Sequence, residues 1–407
     1  RFSNTVDSSG CSFESIIRDN NGDYTVAGTD TLDGKLFLAN YDKNFTLSSS
    51  KKIDIGFRND VSVDILHDEA TGDKYVVGYT YNESFPYSST IIVKIDSSDT
   101  IIWSKKLSQS NLYIKPTSAT LVKNSGTLYI ATFLHNSAAD TGDFKGGALV
   151  VIDTDGNTTS TRDLSEIGID ISMYVNNVVA GGDDTGKFFF SGSVSNGSAG
   201  SVHRSLAGGM ASISDANLVK YINYSNNTLS DAQSWDEYEA AWLDIALIKY
   251  DSDLSTHELI LGGKKEDTSL ASGAEDYSGT MGAMMLERGH SSFAIMQKVK
   301  IADSASYVVD VEWSKQINSP LGYFEEVNSL LVEDSDSRPW WFFEDEEFLN
   351  GNHRVIFTGT GLNMDSDGGT LMRADTLLGG INTNDGSIYF NNTLGHMGED
   401  NIGKDIV

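Results

Sequence analysis

The sequence predicts an all-β protein built as a β-propeller, and three observations lead to this prediction. Residues 13–52 contain four strand patterns in succession, in which apolar and polar positions alternate and Asn, Gly and Asp form the turns between them. The same four-strand unit recurs along the rest of the 407 residues. Its first copies lie 50 and 54 residues apart, close to the period of roughly forty to fifty residues of four-stranded blades arranged around an axis.

A glycine in the second strand of the unit marks the repeat. It recurs at Gly28, Gly78, Gly192, Gly262 and Gly359, and Thr132 takes its place once. Because a glycine is retained on this strand, we expect it to lie near the ring axis, where adjacent blades converge and a side chain would clash. The third strand ends in aspartate in most copies, at Asp42, Asp96, Asp153, Asp215 and Asp375.

The repeats predict one domain over residues 1–407 with six complete blades. Their approximate ranges are 7–54, 55–107, 108–164, 165–224, 225–317 and 318–394. Residues 1–6 align with the fourth strand of the unit, and residues 401–407 align with the first strand. These partial strands fit a seventh blade that is shared between the ends or truncated, and also a segment of a longer array. An array of stacked β-sandwiches is the alternative architecture, but it would need linkers between pairs of sheets, and the sequence shows none.

Three insertions lengthen the later blades, at residues 225–242, 264–292 and 334–352. Residues 230–242 predict a short acidic helix that begins with a serine cap. Residues 264–292 are rich in Gly and Met, which suits either a docking segment or a loop packed across the propeller face.

Composition excludes several function classes. The chain has 29 basic and 58 acidic residues, a net charge of −29, which disfavours binding to the phosphate backbone of nucleic acids. No apolar run reaches the roughly 18 residues of a membrane-spanning helix. The only cysteine, Cys11, precludes an internal disulfide and is expected to be a small buried hydrophobe, with crosslinking to a neighbouring copy as the alternative.

The repeat unit resembles the extracellular β-propeller repeats of many bacterial and archaeal surface proteins. The similarity lies in Ser15-Ile16-Ile17, Gly22 to Thr29, Ile92 to Asp96 and Trp103-Ser104-Lys105. It is strong in blades one, two and six and weak in blades four and five, and the tryptophan recurs only at Trp313. The resemblance implies a secreted or surface-anchored propeller that acts in adhesion or as a scaffold. It transfers no catalytic residue to this chain.

An aromatic loop is the first candidate binding site. Trp340, Trp341, Phe342 and Phe343 are consecutive and are followed by a run of acidic residues. Aromatic faces with a charged rim could stack on sugar rings or anchor a protein partner. The alternative is a loop that folds back over its own blade. We expect at least one of the two tryptophans to contact something outside its blade.

A calcium loop is the second candidate. Asn363, Asp365 and Asp367 place oxygen ligands at alternate positions, and glycines follow. The acidic residue expected at position 12 of such a loop is absent, because Ala374 occupies that position. A plain turn is therefore the alternative, and calcium is the only cofactor that the sequence suggests.

Glycosylation is the third candidate. N-x-S/T triplets begin at Asn44, Asn82, Asn157, Asn196, Asn223, Asn226 and Asn391. A chain so rich in Asn, Ser and Thr contains nearly as many triplets by chance, so their number alone does not establish modification.

These observations favour a non-enzymatic extracellular or cell-surface propeller that binds, adheres or assembles. Its expected partners are proteins or glycans at the cell surface, or copies of itself. No motif for a metalloprotease, a serine hydrolase or a phosphate-binding loop is present. The alternative is a secreted enzyme on the same scaffold that acts on carbohydrate or uses a quinone cofactor, whose carboxylates are too numerous to assign from sequence.

Overall fold

A computed structural model shows a β-propeller of six four-stranded blades. Each blade is an antiparallel sheet whose strands follow one another in chain order from the first to the fourth. The structure describes residues 10–57, 59–81, 88–108, 113–122, 125–135, 144–164, 172–181, 186–195, 204–213, 219–223, 241–251, 256–267, 291–302, 309–317, 323–333, 354–364, 372–394 and 404–406. Among these residues, no helix has the length and apolar character needed to cross a membrane.

The strands are numbered in chain order. Sheets 1 to 3 consist of β1 Cys11–Arg18, β2 Tyr24–Asp30, β3 Lys35–Tyr41, β4 Leu47–Ile53, β5 Asp60–His67, β6 Lys74–Tyr81, β7 Ser88–Ile95, β8 Ile101–Leu107, β9 Tyr113–Leu121, β10 Leu128–His135, β11 Phe144–Ile152 and β12 Thr158–Asp163. Sheets 4 to 6 consist of β13 Ser172–Ala180, β14 Lys187–Ser195, β15 Arg204–Ser212, β16 Val219–Asn223, β17 Ala241–Asp251, β18 Thr256–Asp267, β19 Ser291–Ala302, β20 Val309–Ile317, β21 Tyr323–Glu333, β22 Arg354–Met364, β23 Met372–Asn382 and β24 Ile388–Leu394.

The hydrophobic core lies between adjacent sheets. In the described residues, one buried cluster lies between each pair of successive sheets from sheet 1 to sheet 6, which gives five clusters. Successive side chains of a strand point to opposite faces, so a central strand contributes to two clusters. In β14, Phe188 and Phe190 pack toward sheet 3, whereas Phe189 packs toward sheet 5. This explains why the central strands are continuously apolar, while the outer strand β4 is exposed except at Ile53.

The glycine of the second strand is required by a contact within its own sheet, and not by the contact between blades that the sequence led us to expect. A Cβ atom on Gly78 would lie 2.1 Å from the carbonyl oxygen of Val61, which belongs to the first strand of the same sheet. The pairing of β5 with β6 shifts between Ser62 and Asp64, which is a β-bulge. The bulge brings the first strand's carbonyl over the glycine, so the close approach occurs within a blade and not between blades.

The same close contact between a glycine and a carbonyl of the first strand occurs in four other sheets, and in one of them the glycine is shifted by one position. Comparable contacts to the first strand's carbonyl occur at Gly28, Gly192, Gly263 and Gly359. In sheet 5 the equivalent residue is therefore Gly263, one position after the glycine expected from sequence. Gly262 instead faces Val327 and Leu330 of sheet 6.

A Trp-x-Lys pair on the fourth strand connects two blades to their neighbours. Trp103 Nε1 donates a hydrogen bond to the carbonyl of Thr154, 3.0 Å away in the next sheet's turn. Trp313 makes the same contact with Thr383 at 2.9 Å. A Cβ atom on Gly156, which has a φ of 82°, would lie 2.8 Å from the Lys105 side chain. The tryptophan and lysine thus cover a turn that only glycine fits.

Some sequence expectations are corrected by these strand bounds. Asp375 lies inside β23 opposite Gly361, and Asn382 ends that strand instead. Ala241 and Trp242 begin β17, so the expected helix at 230–242 does not include them. β18 continues to Asp267 and β19 begins at Ser291, which shortens the expected insertion between them at both ends. The remaining insertion residues lie outside the described part of the chain.

Candidate functional site on the propeller axis

A ring of polar side chains lies where the six innermost strands meet. Each first strand has a bulge in its pairing with the second strand, and the residue after the bulge is polar. These residues are Ser15, Asp64, Ser118, Asn177, Asp244 and Ser329, and Asp405 from residues 404–406 joins them. The bulge turns a side chain that would otherwise face a neighbouring sheet toward the axis.

Asp64 connects three sheets. Its Oδ1 accepts hydrogen bonds from the Ser15 hydroxyl at 3.1 Å and from its neighbour Ile65 N at 2.9 Å. Its Oδ2 accepts a hydrogen bond from Ala119 N of sheet 3 at 2.9 Å. One carboxylate therefore joins the inner strands of sheets 1, 2 and 3.

Asp244 repeats this arrangement on the other side of the ring. Its Oδ1 accepts hydrogen bonds from the Asn177 amide of sheet 4 and from Ile245 N, the latter at 2.7 Å. Its Oδ2 accepts a hydrogen bond from Leu330 N of sheet 6 at 2.6 Å. Asn177 in turn accepts one from the Ser118 hydroxyl at 2.7 Å, which links sheets 3 and 4.

Asp405 links the last sheet to the first. Its Oδ1 accepts hydrogen bonds from Ser329 Oγ at 3.1 Å and from Ile406 N at 2.8 Å. Its Oδ2 accepts hydrogen bonds from Ser15 Oγ and Ile16 N, both at 2.9 Å. With these contacts the hydrogen-bonded ring closes on itself.

Burial makes two of the carboxyl groups weak acids. Burial raises the pKa of Asp64 to about 7, and the charge of Asp405 adds to this, while the donors Ala119, Ser15 and Ile65 oppose it. Burial likewise raises the pKa of Asp244 to about 7, although Ile245 and Leu330 donate to it. Near neutral pH, protonated and charged carboxyl groups therefore coexist on the axis.

Access differs between the three acids. Asp244 is 5% exposed, whereas Asp64 and Asp405 are only half-buried. In the described part of the chain, four donors lie within hydrogen-bond distance of the Asp405 carboxylate, one of them the Ser15 hydroxyl, whose single proton Asp405 shares with Asp64. Asp64 has three, so one acceptor position remains on its Oδ2. Asp64 thus keeps a place for a proton on Oδ2.

The ring is not among the sites predicted from the sequence. Its signal is a Ser, Asp or Asn followed by an aliphatic residue in the first strand, as in Ser15-Ile16, Asp64-Ile65 and Asp405-Ile406. Such pairs are common in any half-buried strand. Only the bulges, which depend on tertiary pairing, distinguish these from other polar positions.

The candidate sites from sequence lie largely outside the described residues. Trp340, Trp341, Phe342 and Phe343 all do, as do Asp365 and Asp367, so both predictions stay predictions. Asn363 pairs with Arg373 near the end of β22. Among the described residues, no group of three or more His, Cys, Asp or Glu side chains is placed to hold a metal ion.

The described glycosylation candidates differ in exposure. Asn44 and Asn157 are exposed in the turns that precede β4 and β12, and Asn391 is half-buried on the outer strand β24. Asn223 lies on β16. Asn82, Asn196 and Asn226 lie outside the described residues. Cys11 is a free thiol at the start of β1 and is partly buried.

Comparison with solved structures finds propellers of low sequence identity. A lectin from the fungus Aleuria aurantia, described as a six-bladed β-propeller that recognises fucose, has a TM-score of 0.40 and 10% identity, with 95% of this chain and 97% of the lectin covered. An enzyme from Bifidobacterium bifidum described as an exo-β-1,3-galactanase has a TM-score of 0.38 and 12% identity, covering 74% and 90%. A GH43_1 enzyme from Xanthomonas citri has a TM-score of 0.33 and 10% identity, also covering 74% and 90%.

No protein-family model matches the sequence, and no curated protein matches it either. Two of these three proteins are named as enzymes, one of them a galactanase. The expectation of a non-enzymatic binding, adhesion or assembly module is therefore wrong, and so is the expectation that the chain is not an enzyme. At these identities and TM-scores the likeness concerns the fold alone, so any specific activity must be argued from this chain's own residues.

Proposed function

We propose that the protein is an enzyme that acts on carbohydrate through the carboxyl groups of its axial ring. The observation that carries the proposal is the unequal state of these groups. Asp64 is half-buried, has an unused acceptor position on Oδ2 and has its pKa raised by burial to about 7. Asp405 differs in its surroundings, because the donors Ser15, Ile16, Ser329 and Ile406 lie around both of its oxygen atoms.

Glycoside hydrolysis uses such a combination. One carboxylic acid with a raised pKa protonates the departing glycosidic oxygen, and a second carboxyl group acts in its charged form. Asp64 is the proton donor in this proposal. Its Oδ1 is fixed by Ser15 and Ile65, which leaves Oδ2 directed by a single bond to Ala119 N.

Asp405 has a different role in the proposal. Donors lie around both of its oxygen atoms, so it is poorly suited to attack a sugar carbon. It stabilises by its negative charge the positive charge that develops on the sugar ring in the transition state. As the bond to the departing oxygen breaks, a water molecule adds to the sugar carbon and gives its proton to Asp64, which has become a carboxylate and is thereby reprotonated. Asp244, which is nearly inaccessible, holds the ring together.

Hydrolysis of a panel of aryl glycosides and oligosaccharides tests the proposal. We expect release of reducing sugar by the wild type and a loss of at least about a hundredfold in Asp64→Asn, because general acid catalysis contributes on that order. Asp33→Asn is the matched control, since Asp33 is exposed and pairs with Lys52 away from the axis. Absence of hydrolysis across the panel by folded wild-type protein, or full activity of Asp64→Asn, would refute it.

We also propose that residues 404–406 occupy the inner position of a seventh sector. Asp405 makes the same contacts as Asp64 and Asp244, to the residue after it and to both flanking sheets. Lys404 pairs with Glu14 of β1 at 2.5 Å. An extracellular location, and kinship with the surface-protein repeats, are further proposals that are supported by the repeat pattern of the sequence.

A further inference from the structure

A second buried carboxyl group, Asp60, is not part of the axial ring. Asp60 begins β5 and is 0% exposed, and among the described residues neither of its carboxylate oxygens has a well-formed hydrogen bond, although the Thr80 side chain lies close enough to favour its charged form. Ser62, two residues later on the same strand face, is 2% exposed, and among the described residues its hydroxyl has no well-formed hydrogen bond either. Three buried oxygen atoms without well-formed hydrogen bonds thus lie on one face of a single strand.

These oxygen atoms face sheet 1. Asp60 pairs with Thr80 across β5 and β6, and Val76 on the same face of β6 packs in the cluster between sheets 1 and 2. Thr29 of sheet 1 accepts a hydrogen bond from Ser62 N at 3.0 Å, which places its hydroxyl beside the group. Asp60, Ser62 and Thr80 therefore lie on the face of sheet 2 that packs against sheet 1, where the Thr29 hydroxyl is next to Ser62.

Two lysines in the described part of the chain act on Asp60, but both contact other groups. The ammonium of Lys35 is bound by Asp54 Oδ1 at 2.7 Å and by the carbonyl of Phe57 at 3.1 Å. Lys106 lies over the Phe57 ring, 5.0 Å from its centre. Burial raises the pKa of Asp60, with the Thr80 side chain and both lysines opposing. A charged carboxylate in such surroundings is costly unless a cation accompanies it.

We propose that Asp60 and Ser62, with the hydroxyl groups of Thr29 and Thr80, form a binding site for a hard metal cation between sheets 1 and 2. The ligands are all oxygen atoms, which suits calcium or sodium and disfavours ions that prefer sulphur or nitrogen. The site contains one carboxylate, so its affinity is expected to be modest. A bound ion would connect the two sheets at the end where β5 begins.

Thermal unfolding of the full chain tests the site. Protein stripped with a chelator is titrated with calcium chloride or sodium chloride at constant ionic strength, with choline chloride as the balancing salt. We expect one of the two ions to raise Tm by several degrees, because a ligand that binds only the folded state stabilises it by mass action. Asp60→Asn should lose this shift, whereas Asp54→Asn, which changes a neighbouring exposed carboxylate, should retain it.

Two results would overturn the proposal. The first is a wild-type Tm that is independent of both ions, together with an Asp60→Asn variant that melts at or above the wild type, because Asp60 would then be a neutral buried acid. The second is an ion-dependent shift that Asp60→Asn retains. If Asp365→Ala removes that shift, the ion belongs to the loop at 363–367 instead.

Discussion

Single carboxylates on the axis accept hydrogen bonds from backbone N–H groups of the inner strands. Inner strands of neighbouring sheets converge without pairing, so their backbone N–H groups need acceptors from elsewhere. Asp64, Asp244 and Asp405 each supply two oxygen atoms and accept both their own following N–H and that of the next sheet. An alanine at these positions would leave buried donors without partners, which costs about 1–3 kcal/mol for each group.

The raised pKa of Asp244 predicts a pH dependence of stability. Its pKa is about 7 in the folded protein and 3.8 in the reference state, so folding favours the protonated form. Its stabilising contribution is therefore complete below about pH 4 and is lost as the pH rises through 7. We expect the free energy of unfolding, measured with urea, to fall less between pH 5 and 7.5 in Asp244→Asn than in wild type.

The acidic surface changes the free energy of unfolding with pH in the wild type and the variants alike, so comparing their slopes isolates the contribution of Asp244. Asp385→Asn is the control, because hydrogen bonds from Ser387 lower the pKa of that exposed carboxyl group, so it does not titrate in this range. Equal slopes in wild type and Asp244→Asn would mean that Asp244 stays charged throughout the range. In that case the three donors around it outweigh its burial.

At the scale of the strand, local sequence patterns were sufficient to predict features that depend only on neighbouring residues. Alternation and turn residues located the strands, since Asp-Gly and Asn-Gly turns and apolar faces act over a few residues. The bulges were not predicted, because a bulge depends on which strand lies opposite. The retained glycine was noticed, but its reason was assigned to neighbouring blades, whereas Gly78 in fact lies under the Val61 carbonyl.

Replacing Gly78 tests this explanation. A Cβ atom there would lie 2.1 Å from a backbone oxygen, so Gly78→Val must displace the bulge of β5 and with it Asp64. We expect a loss of about 1–3 kcal/mol or more in the free energy of unfolding, which is the usual cost of overpacking. The measurement is urea denaturation monitored by tryptophan fluorescence.

Thr132→Val is the matched control for Gly78→Val. Thr132 occupies the equivalent position in sheet 3, where a β-branched side chain is already accommodated opposite Pro116. The control should lose only the hydrogen bond from the Thr132 hydroxyl to the Ala148 carbonyl, which is worth about 1 kcal/mol. If Gly78→Val is no less stable than this control, the steric explanation is wrong.

For the whole molecule, repetition allowed the number of complete blades to be predicted from sequence. Six sheets in succession have five interfaces between them, and in the described residues each of these interfaces holds one buried cluster. The axial ring could not be predicted, because its members lie up to 390 residues apart, as Ser15 and Asp405 do. No local rule relates residues at such separations.

Closure of the ring by Asp405 leads to the last prediction. The described inner strands contact one another in order from β1 to β21, and the Asp405 carboxylate is hydrogen-bonded to both of these end strands. Asp405→Ala removes the acceptor of four donors, so we expect a loss on the order of 3 kcal/mol in the free energy of unfolding. Hydrogen exchange should accelerate in β1 and β21 and stay unchanged in β9 and β13, on the far side of the ring. Asp244→Ala is the matched control, since its effect should fall on β13, β17 and β21 and spare β1. Uniform acceleration in all inner strands, or none in β1, would show that Asp405 does not close the ring.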